Sequence, residues 1–209
     1  MTDAELRKEI AAERRELAAV LAGLPARLWD TPTLCAGWRV REVVAHTTMP
    51  FRYAVPRFAL EMLRSRGDFT RMADRCARRD AAAMSTDELT RAVGDNAEFP
   101  WRPPGGGFGA ALTHEVIHGL DWTVPLGLDH RVPGDRLRIV LDQLTGARSL
   151  KHFGTDLRGI ELVANDLDWR FGSGTPLTGS AQDLALVLGG RRLPPGRLVG
   201  RPTERFAAA

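Results

Sequence analysis

The sequence predicts a mainly α-helical region over residues 1–150 followed by a small α+β domain over residues 151–209. Three observations carry this. Apolar residues recur at helical spacing through most of the first 150 positions. Two capping-box spacings, Thr2 with Glu5 and Ser85 with Glu88, mark helix starts. Beyond Gly154 the texture changes to short β-prone runs, IELVAND and LDWRFGS, joined to the next segment by GSGT.

In chain order, Leu6, Ile10, Leu17 and Leu21 define a first amphipathic helix from about Ala4 to Leu24. Pro25, Pro32 and Gly37 break the pattern, after which VREVVAHTTMPFRYAVPRFALEML reads as a second helix that Pro50 and Pro56 should kink or interrupt. The stretch GDFTRMADRCARRDAAAM fits neither period clearly. The Ser85 cap leads into a third helix near Thr86 to Asn96, and FPWRPPGGGFG then excludes regular structure. A fourth helix spans about Phe108 to Val124. After the turn-rich LGLDHRVPGD comes a helix from about Asp135 to Leu150. In the tail the two β-prone runs suggest a hairpin, and Ser180 caps a helix in AQDLALVLGG that Gly189, Gly190, Pro194 and Pro195 end. A tail of this length buries too little surface to be secure alone, so it is expected to dock on the helical part.

The 209 residues fit one main domain with an appended module. A hydrophobic fraction of 44% with 26% charge is that of a soluble globular protein, and no apolar run is long enough to cross a bilayer. MTDAELRKEI has no signal-peptide apolar stretch, so a cytoplasmic location is expected. Cys35 and Cys76 are too few for a disulfide framework or a cysteine metal cluster. The net charge of +3 and the scattered arginines do not suggest a nucleic-acid partner, and no membrane partner is expected. Lys8 and Lys151 are the only lysines among 29 basic residues. With the abundant Ala and Gly, this suggests a GC-rich genome such as that of an actinobacterium.

His114 and His118 in THEVIHGLDW lie four apart on one helix face. Their Cβ atoms there are roughly 5 to 6 Å apart, close enough for both imidazoles to reach one ion. The spacing permits a metal site and also permits two packing residues. A third ligand must come from elsewhere, and His46 is the candidate, on the flank of the face made by Val40, Val43, Val44 and Phe51. Asp121 shares the histidine face and would orient a ligating imidazole or bind the ion itself. Glu115 points about a quarter-turn away. His130 sits in a loop, and His152 near a helix end suits the dipole. No P-loop, dinucleotide fingerprint, nucleophile elbow or zinc-protease motif is present. Cys35 has no adjacent base and reads as packing, and Cys76 among arginines lacks a catalytic partner. Trp101, Trp122 and Trp169 are expected to pack.

The stretches TPTLCAGWRVREVVAHT (Thr31–Thr47) and HEVIHGLDWTVPLGL (His114–Leu128) together resemble the mycothiol-dependent maleylpyruvate isomerase family, within the broader DinB-like metalloprotein group. ELVANDLDWRFGSG and LTGSAQDLALVLGGR are similar to the small C-terminal domain found in these proteins. The resemblance implies a DinB-like four-helix bundle holding one divalent metal, with His46, His114 and His118 on the three ligand positions. In the isomerase proper the position held here by His114 is a glutamate, whereas an all-histidine set is familiar in the wider group.

Three neutral imidazoles leave a tetrahedral ion one open position, the arrangement of a catalytic site. Such an ion lowers the pKa of bound water or of an incoming thiol. Zn²⁺ is the default for imidazole ligands, with Ni²⁺, Fe²⁺ or Mn²⁺ also compatible. An external thiol, mycothiol by resemblance, is expected as co-substrate with a small electrophile. Arg52, nearly two turns after His46, is a candidate for holding a carboxylate or for a surface ion pair. Pro103 to Gly109 is either a mobile rim over the metal or a plain connector. No catalytic residue is assigned. The expected activity is that of a metal- and mycothiol-dependent isomerase or S-transferase, in a monomer or homodimer. The alternative is a non-catalytic metal-binding or stress-associated protein on the same bundle.

Overall fold

The computed structural model describes residues 1–208. The chain divides into two compact units, Met1–Trp122 and Thr123–Ala209. Six helices build the first: α1 (Asp3–Ala22), α2 (Val40–Arg52), α3 (Val55–Arg64), α4 (Phe69–Ala83), α5 (Thr86–Gly94) and α6 (Phe108–Thr123), whose last residue crosses the division. Thr2 and Glu5 close the expected capping box at α1, and Ser85 and Glu88 close the one at α5.

Four of these helices form a closed ring. α1 packs on α5, and α5 packs on α2. α2 meets α6 through His46 and His114. α6 returns to α1 where Gly119 faces Leu17, since a Cβ there would lie 2.8 Å from Leu17 Cδ2. Glycine mid-helix costs about 1 kcal/mol against alanine, and here it allows the two helices to approach at the residue next to His118. Ile10, Leu17, Val43, Val44, Leu89, Leu112, Val116 and Leu120 of the ring helices are all buried, and with them the charged Arg14, Glu115 and Asp121.

α3 and α4 are an addition outside this ring, α4 lying against α2 and α3 against α4. The stretch that fits neither period in the sequence is thus a helix, α4. α2 runs through Pro50 and ends at Arg52, and the chain restarts as α3 with Pro56 in its first turn, where a missing N–H leaves no bond unmade.

The second unit contains α7 (Gly134–Thr145), α8 (Ala147–Phe153), β1 (Ile160–Ala164), β2 (Arg170–Gly172), β3 (Thr175–Gly179), α9 (Ala181–Leu188) and β4 (Leu198–Val199). The expected hairpin is β1 with β2, paired antiparallel; β3 adds parallel to β1, and β4 antiparallel to β3, in the order β2-β1-β3-β4. Ser180 caps α9 as its position suggests. The helix expected over Asp135–Leu150 is two helices meeting at Gly146, and its first part packs on α9, within the second unit. Among the described residues no helix is long and apolar enough to cross a membrane.

Candidate metal centre

α2 and α6 bring His46, His114 and His118 together, with one potential ligand atom from each lying within 4.8 Å of the others. His46 Nε2 and His114 Nε2 are 3.3 Å apart. The His118 ring stands edge-on to both others, at centroid distances of 4.9 Å from His46 and 4.7 Å from His114. His46 is buried, and the side chains of His114 and His118 are 17% and 13% exposed, so the cluster is sheltered yet reachable.

The polar surroundings bear on which nitrogens face inward. His118 Nδ1 lies 2.9 Å from Asp121 Oδ2, and Asp121 is fully buried. A carboxylate only accepts, so the shared proton belongs to Nδ1 and Nε2 keeps its lone pair for the cluster. His114 Nδ1 is buried without a hydrogen-bond partner among the described residues and sits 3.7 Å from Glu115 Oε1. Burial alone would push the Glu115 carboxyl upward, but the adjacent His114 and Arg14 outweigh it and hold it below the usual carboxylate range.

The geometry suits a divalent ion. Two ligands at about 2.0–2.1 Å on a tetrahedral centre lie roughly 3.3–3.4 Å apart, which matches the His46–His114 separation. The donor set is three imidazoles from two helices, one of them pre-oriented by a carboxylate, the pattern of nitrogen sites for zinc and neighbouring metals.

Two indoles flank the triad. Trp38 lies with its ring centroid 5.1 Å from His46, and Trp101 lies 4.9 Å from His114. Trp38 is set by a tight turn in which Thr33 Oγ1 donates to the Trp38 carbonyl, the Trp38 N–H donates to the Cys35 carbonyl and Gly37 adopts φ +78. Its Nε1–H donates to Asp74 at 2.8 Å. The same turn is tied to α6, because the Leu34 N–H donates to the Asp121 carbonyl. Trp101 follows a loop held by Arg14. That guanidinium is fully buried, pairs with Glu115 at 2.9 Å and donates to the carbonyls of Asn96, Ala97 and Phe99.

Of the other sequence candidates, Arg52 donates to Asp80 at 2.7 Å, to the Ala45 carbonyl and to Thr48, at the α2–α4 contact. Glu115 is turned to Arg14, as its helical angle suggests. Cys76 is buried in an apolar cluster with Met49, Tyr53 and Met72, and Cys35 is half-buried in its turn. His152 rests on Phe153, and His130 is buried in the second unit. Sequence reasoning passed over Trp38 and Arg14. The signal for Arg14 was present: it stands in the buried stripe between Ile10 and Leu17.

A helical bundle with three imidazoles converging from two facing helices belongs to a class of folds whose interior can accommodate an ion. The comparisons give that class a family. The profile of the mycothiol maleylpyruvate isomerase N-terminal domain matches residues 10–121, and the chain belongs to this family. Two uncharacterized proteins from two strains of Mycobacterium tuberculosis are each 23% identical, over 88% of this chain and 84% of their own length. The crystal structure of the mycothiol-dependent maleylpyruvate isomerase, and that of a mutant of it, superpose with a TM-score of 0.61 at 13% identity, covering 100% of this chain and 95% of theirs. That likeness establishes the fold: a DinB-like helical bundle followed by a small α+β domain.

Proposed function

We propose that this protein is a metal- and thiol-dependent enzyme, an isomerase or S-transferase that uses mycothiol as co-substrate on a small electrophile. The observation that carries the reading is the convergence of His46, His114 and His118 inside the segment that belongs to the mycothiol maleylpyruvate isomerase family. A divalent ion held there, zinc by preference, would lower the pKa of an incoming thiol and keep the thiolate beside its target. Asp121 fixes the tautomer and ring angle of His118. Trp38 and Trp101 exclude water from two sides of the triad and supply flat apolar walls for substrate. Arg14 holds the loop that carries Trp101 in place. The setting we infer is the cytoplasm, where a low-molecular-weight thiol is abundant.

A second reading, a non-catalytic metal-binding protein on the same bundle, rests on His114 standing where the resemblance implies a glutamate in the isomerase proper. One experiment separates the two. Metal-loaded protein is titrated with mycothiol by calorimetry, then assayed with mycothiol and a panel of small unsaturated electrophiles. Saturable thiol binding with turnover supports the enzyme. Metal loading without thiol binding supports the second reading.

A further inference from the structure

The chain's exposed apolar side chains and its surplus positive charge fall on the same segment, well apart in sequence from the histidines of α6. Among the described residues seven large hydrophobics are exposed, and four of them, Val55, Leu60, Leu63 and Phe69, lie within fifteen positions, at 81%, 45%, 75% and 51% exposure. Residues 52–80 carry eight arginines against four carboxylates, a surplus of four in a chain whose total is +3.

α3 shows how the two properties are arranged. At 3.6 residues per turn, Val55, Ala59, Leu63, Pro56 and Leu60 span an arc of about 140°, all exposed, while Phe58 and Met62 turn inward onto the Met49–Tyr53–Met72 cluster. Arg57 and Arg64 border the exposed arc. Two of its acidic neighbours are turned away from solvent, while Asp68 is exposed and caps α4 by accepting from the Arg71 N–H. Glu61 and Asp80 are buried, and each is already engaged at 2.7 Å, Glu61 by Arg75 and Arg79, Asp80 by Arg52 and Tyr53. Arg57 and Arg64 stand further off, at 3.9 Å from Asp80 and 3.5 Å from Glu61, with about half of each side chain in solvent. Beyond α3, Arg66, Phe69 and Arg71 continue the same mixture in exposed positions.

We propose that α3 and the start of α4 form a peripheral docking surface for an anionic lipid bilayer. A broad apolar arc on a convex helix, bordered by arginines, is the pattern of helices that lie in the membrane interface. Arginine suits the border because its stem lies along apolar surface while the guanidinium reaches phosphate. An antiparallel two-fold contact with a second copy through this arc is disfavoured, since it would set Arg57 and Arg64 of both copies on the same side. The sequence expectation of no membrane partner rested on the absence of a spanning run, and surface docking needs none.

The test is flotation of the full chain with vesicles of phosphatidylcholine alone and of phosphatidylcholine with phosphatidylglycerol at roughly three to one. The protein should float with the anionic vesicles and at least about tenfold less with the neutral ones, and high salt should release it. Leu63→Asp and Val55→Asp change exposed positions and should keep the fold, checked by thermal melting, while lowering anionic-vesicle binding by about tenfold or more. Arg64→Glu should weaken binding about fivefold or more. Failure to float with anionic vesicles at low salt overturns the proposal. So does unchanged binding by Leu63→Asp, or a wild-type dimer in sedimentation that this substitution converts to monomer, which would give the face to a second copy.

Discussion

Arg14 is the residue whose loss should reach furthest through the first unit. Its guanidinium is fully buried, pairs with a Glu115 carboxylate that is itself 3% exposed, and supplies N–H donors to three loop carbonyls at 2.8 to 3.3 Å. Arg14→Met keeps much of the volume and removes every one of these donors. The buried Glu115 charge is then left without its cation, which costs about 3–5 kcal/mol. In a chain of this size each kcal/mol lowers the thermal midpoint by roughly 2–4 °C, so a fall of about 6–20 °C is expected. Calorimetric melting of the metal-free protein measures it. Adding Glu115→Leu should recover most of the loss, because an apolar pair of similar volume is close to neutral where a broken ion pair is not. A loss below about 1 kcal/mol for Arg14→Met, or a double variant no more stable than the single, would refute the view that this pair holds the loop against α6.

Two further outcomes follow from the same contacts. Asp121→Asn removes the acceptor that fixes His118, and metal affinity measured by competition with a chromogenic chelator should fall about 10–100-fold. Glu61 is held at about 2, chiefly by its hydrogen bond from Arg79, against an ordinary 4.5. A depressed carboxylate contributes stability that is complete above its unfolded value and is lost as pH falls from about 4.5 toward 2, so urea unfolding should weaken across that window and Glu61→Gln should flatten the loss.

Much of the bundle is legible in sequence because its ring helices carry bulky apolar residues at helical spacing and capping boxes at two of their starts. α4 is not legible, since its buried face is made largely of small or polar residues, Ala73, Cys76, Ala77, Asp80 and Ala81, interleaved with arginines. The three histidines can be nominated from spacing and resemblance, but their convergence depends on how α2 and α6 cross, and spacing does not encode that. Trp38 reaches His46 through a loop turn and an Asp74 contact thirty-six positions away, beyond any local pattern. The helix after Asp135 reads as a continuation of the bundle; its packing on α9 is a long-range choice that periodicity cannot show.

The central claim is that His46, His114 and His118 hold one divalent ion, and the most direct measurement is the metal content of protein purified without an affinity tag, stripped and reloaded. About one equivalent per chain is predicted, abolished by His118→Ala and retained by His114→Glu, whose carboxylate oxygen reaches a similar distance. Less than about a tenth of an equivalent in the wild type, or content unchanged in His118→Ala, would contradict it.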